Sequence, residues 1–292
     1  MFIPDVDKVY ASKDPDFHYW FPAGSAIQLY PNLKNPILKD VNVRKAINMA
    51  IDRDKIGKQA EYGYTEPLNP TGVQPRDKDL IDPKYANLTF KQDLTGAEKL
   101  LQDAGYKKGK DGIYVSPAGQ KLSFTLQVVS GWSDWVQACM LISQDLKQIG
   151  MDVKVQQPQF GAYQSNLQNK KFDLAIGWTN TGATSYKTFK DMLSKNGGWN
   201  PEGWDDPATE QALNDYKSTT DLAKQKEAMA KIEDIMINQV PVMPLFYGET
   251  WYEYTTKNYT GWPNADNPYN SPAVFTWPQA AINLSKLTPV TK

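Results

Sequence analysis

Five consecutive stretches decide the fold: Leu122-Ser123-Phe124-Thr125-Leu126-Gln127-Val128, the run from Ser133 to Ile149 closed by Gly150, Met151-Asp152-Val153-Lys154-Val155, Ala162 to Leu167, and Phe172-Asp173-Leu174-Ala175-Ile176-Gly177-Trp178. The first alternates apolar and polar residues as a half-buried strand does. In the second, Trp135, Cys139, Ile142, Leu146 and Ile149 recur on one helical stripe. The third and fifth read as strands and the fourth as a short helix. Strand, helix, strand, helix, strand is the pattern of an α/β sheet with crossover connections.

Outward from this block the punctuation is clear. Asp40 can cap a helix carrying Val43, Ala46, Ile47 and Ala50, which Asp52-Arg53-Asp54-Lys55-Ile56 continues or restarts. Asp93 caps another, with Leu94, Ala97, Leu101 and Ala104 on one face and Gly105 as its stop. Residues 62–90, rich in Pro, Asn, Asp and Gly, read as a long surface excursion. Asp111-Gly112 turns into a short strand, Ile113-Tyr114-Val115. Residues 179–206 read as a polar loop region rich in Gly and Trp. Asp206-Pro207 and Asp221 open two further helices. Val240-Pro241-Val242-Met243-Pro244-Leu245-Phe246-Tyr247 must be extended, because its prolines forbid helix. The tail from Lys257 reads as ordered loops.

Composition removes function classes. The 292 residues carry 32 Lys+Arg against 33 Asp+Glu, and a net charge of -1 gives no basic face for nucleic acid. No apolar run is long enough to span a bilayer. One Cys and one His cannot build a disulfide, a Cys-based zinc site or an HExxH site. No metal or cofactor is expected. Cys139 and His18 could in principle form a nucleophile pair, but Cys139 lies on a helical apolar stripe and packs as a small hydrophobe. His18, in Asp14-Pro15-Asp16-Phe17-His18-Tyr19-Trp20, reads as a loop residue against neighbouring aromatics. Met1-Phe2-Ile3-Pro4-Asp5-Val6 has no signal-peptide pattern, as a cytoplasmic protein or a fragment would lack one. The sequons at Asn87, Asn258 and Asn283 carry little meaning without a eukaryotic secretory route.

Tryptophan is the unusual feature. Nine occur, and Trp132, Trp135, Trp178, Trp199 and Trp204 sit in loops, at strand ends or near a helix start. Strand ends in α/β sheets are where such folds bind ligands. An indole offers an apolar face and one N–H donor, which suits a sugar. Packing against the core competes with this for each Trp singly, most of all for Trp135. Asp205-Asp206 beside Trp204 could be a glycosidase pair, but adjacent residues seldom face each other across a bond, and Asp206 is better read as a helix cap. Gly109-Lys110-Asp111-Gly112 lacks the spacing of a phosphate loop and reads as a turn.

Several stretches together resemble the extracellular solute-binding proteins of the oligopeptide and dipeptide type, which feed ABC importers. They are Asp40-Val41-Asn42-Val43-Arg44-Lys45-Ala46-Ile47 with Ala50-Ile51-Asp52-Arg53, Ala97 to Gly105-Tyr106, the Asp111-Gly112 turn, Leu146 to Gly150-Met151, Phe172-Asp173-Leu174-Ala175 before Gly177-Trp178, and Gln239-Val240-Pro241-Val242-Met243-Pro244. The resemblance covers most of residues 20–262. It implies the C-terminal α/β lobe of a type II periplasmic-binding-protein fold at 24–245, a remnant of the N-terminal lobe at 1–23, and a return segment and tail at 246–292 that belong to that lobe. The export signal would lie outside this stretch.

The resemblance also implies an expected function. It is a monomeric substrate-binding component, periplasmic or extracellular, free or anchored as a lipoprotein, that closes over its ligand and is recognised by a membrane permease. In peptide binders of this type an Asp after the Gly-Trp strand end pairs with the ligand's amino terminus; here Thr181 stands at about that place. A buried ammonium without its carboxylate is costly, so a neutral oligosaccharide is the expected cargo, a peptide the alternative, and glycoside hydrolysis the reading from another class. The expected ligand contacts are Trp178 and Phe160, then Trp132, Trp135, Trp199 and Trp204, with Asn180 and Thr181 as polar contacts and Tyr247 near the return crossing.

Overall fold

The computed structural model describes residues 2–179, 182 and 184–291. Its centre is a five-stranded sheet in the order Asp152–Gln156, Ser123–Gln127, Leu174–Thr179, Ala23–Pro31, Met243–Glu249. The first three strands are parallel, joined by the helices Ser133–Gln148 and Phe160–Gln168 as the sequence pattern requires. Ala23–Pro31 runs antiparallel to both of its neighbours, so Met243–Glu249 runs in the same direction as the first three. Ala23–Pro31 has no counterpart in the sequence reading. It is buried along most of its length, Gln28 included, and a strand covered on both faces loses the alternation that would reveal it.

Helices cover both faces of the sheet. Leu174, Ile176 and Trp178 point to one side, with Ile27 and Leu29, under Val43, Ile47, Leu101, Ile142 and Leu146. Ala175 points to the other, with Tyr30, Tyr163, Phe189, Met192, Ile232 and Met236. Gly177 is needed in that row. A Cβ there would come within 2.9 Å of the Tyr163 hydroxyl and 3.1 Å of the Tyr30 ring. Cys139 is fully buried in the first core, where burial pushes its thiol up, as befits a packing residue.

The expected caps are in place. Asp40, Asp52, Asp93, Asp206 and Asp221 each accept a main-chain N–H in the first turn of the helix that follows. Other expectations are corrected. The 179–206 stretch contains the helix Ser185–Leu193, whose Phe189, Met192 and Leu193 enter the second core. The tail contains the helix Gln279–Lys286. His18 lies in a short strand, Phe17–Tyr19, paired with Glu253–Thr255; its ring does pack on an aromatic neighbour, Tyr254. Residues 62–90 are not wholly a surface excursion, because Leu68, Thr71, Val73 and Gln74 are buried. Hydrogen bonds from Leu68 N–H to the Leu245 carbonyl and from Gln74 N–H to Ser185 Oγ make that burial tolerable.

The stretches that carry the family resemblance prove to be one connected structure. Arg44, 3% exposed, donates to the carbonyls of Leu38, Lys39, Gln239 and Val240. Arg53 donates to the carbonyls of Asn48, Ile51 and Pro244 and stacks on Phe90. Two guanidinium groups thus clamp the 41–59 helices to the Val240–Pro244 segment. Asp173 receives Thr125 N–H, Thr125 Oγ1 and Asn35 Nδ2, which ties the end of its strand to two neighbouring segments.

Glu202 is fully buried, with no partner for either carboxyl oxygen, and burial raises its pKa from 4.5 to about 8. The folded state therefore holds a proton that the unfolded state has released. Stability should fall as pH rises from 4.5 to about 8, by at most ~1.4 kcal/mol per pH unit from this group, and flatten above. Glu233, raised to about 7, acts in the same direction. Urea midpoints measured from pH 5 to 8 should decline less steeply in Glu202→Gln than in the wild type; parallel declines would contradict the assignment.

Candidate ligand cleft

Topology brings the aromatic residues together. Three successive parallel strands end at the same edge of the sheet, and each delivers rings there. Ser123–Gln127 is followed by Trp132 and Trp135 at the start of the next helix. Asp152–Gln156 is followed by Phe160, the first residue of its helix. Leu174–Thr179 carries Trp178 next to its last position. Such strand ends are the usual ligand edge of an open α/β sheet.

Trp178 is the hub. Its ring centroid lies 5.7 Å from Trp132, 6.2 Å from Trp135, 6.5 Å from Phe160 and 6.0 Å from Trp199, the last two nearly parallel to it. Trp132 and Trp135 meet edge to face at 5.0 Å. Phe160 is 49% exposed and the four indoles are half-buried, so the cluster is a wall that solvent reaches. Trp132, Trp135 and Trp178 line a cavity of about 820 Å³, within the range of small-ligand sites. Main-chain anchoring keeps the hub in place: the Tyr30 hydroxyl donates to the Trp178 carbonyl and meets Thr179 Oγ1 at 2.7 Å.

Two expected contacts are not brought to this wall. Trp204 is 8% exposed, packs in the second core, and donates its indole N–H to Thr209 at the start of the next helix. Tyr247 is paired with Ala26, whereas Phe246 pairs with Ile27, the partner of Trp178. Alternation therefore turns Tyr247 to the opposite face. Asn180 and Thr181 lie outside the described residues. Asp206 caps its helix through Thr209, and Asp205 pairs with Lys195.

The lining residues not anticipated from sequence include Glu61, Asp134, Glu249 and Trp251. Burial raises the Glu61 pKa to about 9, helped by the Asp134 and Glu249 carboxyls, and raises Glu249 to about 8. Asp134 is shifted upward by burial, against main-chain N–H groups and the Trp251 indole. A second cavity, about 570 Å³, lies by the two-stranded sheet of Phe17–Tyr19 and Glu253–Thr255, lined by His18, Tyr254 and Trp262 among others. Among the described residues no cluster of His, Cys, Asp or Glu could hold a metal ion, and no helix is long and apolar enough to cross a membrane.

An α/β sheet with an aromatic-walled cleft at its strand ends is the frame of a solute-binding domain. Residues 1–201 match the model of the bacterial extracellular solute-binding proteins, family 5 (middle region), and the chain belongs to that family. It is 28% identical over 221 residues to the oligopeptide-binding protein OppA of Bacillus subtilis, covering 74% of this chain and 39% of that protein. A periplasmic oligopeptide-binding protein of Thermotoga maritima, solved with mannohexaose bound, superposes with a TM-score of 0.87 at 25% identity, over 100% of this chain and 58% of that one. AppA of Bacillus subtilis, solved with a nonapeptide, gives 0.78 at 23% identity, over 99% and 55%. The chain thus spans about two fifths of the length of the curated relatives it matches.

Proposed function

We propose that this chain supplies one wall of the cleft in the substrate-binding component of an ABC importer, and that the cargo is an oligosaccharide. The carrying observation is the wall of four indoles and one phenyl ring centred on Trp178. Flat apolar ring faces match the apolar faces of pyranose rings. Thr181, in place of the Asp expected in a peptide binder, supports the same reading, as does the mannohexaose in the Thermotoga maritima relative. In this reading residues 24–245 form one lobe. Phe246–Glu249 completes the sheet of that lobe, while the flanks 1–23 and 250–292 belong to a second lobe that closes over the ligand, and the closed form is what the permease recognises. The protein works outside the cytoplasmic membrane, as a monomer, and binds without hydrolysing. A peptide cargo is the second reading, favoured by the oligopeptide-binding relatives.

Thermal shift separates the two, since a ligand that binds only the folded state raises its melting temperature. Manno-, cello- or xylo-oligosaccharides at millimolar concentration should raise it, and tripeptides should not. Stabilisation by tripeptides alone would overturn the oligosaccharide reading, and turnover of labelled oligosaccharide would overturn the assignment as a binder.

A further inference from the structure

Two of the three carboxyl groups in the cleft, those of Glu61 and Glu249, keep a buried oxygen without a hydrogen-bond partner. Glu61 is 1% exposed, lines the cavity, and its Oε1 has no hydrogen-bond partner. Glu249 lines the same cavity; Thr65 reaches its carboxyl, yet its Oε2 is buried without a partner. Asp134 completes the group at the start of the Ser133–Gln148 helix, beside Trp132 and Trp135. Among the described residues the lining holds no Lys, Arg or His to balance them. Glu202 makes the contrast: it is equally buried and unpartnered, but it lines no part of this cavity.

Carboxyl groups gathered without a cation resist ionising together, and an added positive charge relieves this. An ammonium suits the vacancy in the hydrogen bonding, because it brings three donors and no acceptor. The adjacent indole faces add attraction for the same charge. We propose that Glu61, Asp134 and Glu249 form a subsite for a protonated amine carried by the oligosaccharide ligand, so that the preferred cargo is an amino sugar oligomer. This rests on the aromatic wall being the ligand surface. The subsite is made by residues other than Thr181.

The test is tryptophan-fluorescence titration of the 292-residue chain at about pH 6, where a sugar amine is protonated. The probes are glucosamine oligomers, N-acetylglucosamine oligomers and cello-oligosaccharides of equal length, with a tripeptide bearing a free or an acetylated amino terminus. Glucosamine oligomers should bind roughly tenfold or more tightly than the two neutral series. The gap should close in Glu61→Gln and in Glu249→Gln, each checked for folding by its melting transition. Equal affinity for the amine-bearing and neutral sugars would overturn the subsite and leave the oligosaccharide reading standing. A gap that survives both substitutions would also overturn it. A preference for the free-amine tripeptide, lost in Glu61→Gln and unaccompanied by sugar binding, would support the subsite and overturn the oligosaccharide reading. Binding of no probe would overturn both.

Discussion

Trp178→Ala should abolish measurable oligosaccharide binding while leaving the chain folded. Four rings contact this indole, so its loss removes a stacking surface and releases the rings that it holds in register. A well-packed aromatic anchor is worth about 2–4 kcal/mol of binding, which is roughly a thirtyfold to thousandfold loss of affinity. The effect on stability should be smaller. The indole is half-buried at the edge of the first core, whose centre lies among Ile27, Leu126, Ile142 and Ile176. Calorimetric titration and a urea transition on the same preparation check both halves. A variant that loses stability but binds normally would make Trp178 a packing residue.

Arg44→Ala should cost more stability than most single substitutions in this chain. The guanidinium satisfies four carbonyls, two before its own helix and two at the end of the Leu222–Gln239 helix. Burial lowers its pKa only to about 10, so it stays charged at neutral pH. Removing it strands those acceptors in a region where Arg44 itself is 3% exposed. The expected loss is about 3–5 kcal/mol, a large share of the 5–15 kcal/mol typical of a domain. Arg44→Lys should recover only part of this, because a lysine cannot span the carbonyls as a planar fork does. Urea unfolding of the three proteins measures it; a loss below about 1 kcal/mol for Ala would mean that the clamp is dispensable.

These two residues also show what was legible in the chain. The strand–helix alternation and the capping aspartates were readable because they are local signals. The aromatic cluster was partly readable, because a crossover sheet sends consecutive strand ends to one edge. Trp204 read the same way as Trp199 in sequence, and only the turn that buries it against Thr209 separates them. Tyr247 failed for want of register: one residue decides which face a strand side chain occupies, and the Ala23–Pro31 partner that sets the register was itself hidden by two-sided burial. Glu61, Glu249 and Asp134 gave no signal. They lie 73 or more positions apart in the chain, and their common feature, burial without a cation, exists only after folding. The resemblance of Val43-Arg44 and Val240-Pro241 was visible as sequence, but not that one clamps the other.

The most direct test of the aromatic wall as a sugar site is a crystal structure of the protein with a bound oligosaccharide. A pyranose ring should be found stacked on Trp178 or Trp132 at the strand ends, within the cavity that Glu61 and Glu249 also line. Sugar bound elsewhere, for instance against His18 and Trp262 by the Phe17–Tyr19 strand pair, with the Trp178 cluster unoccupied, would contradict the proposed site.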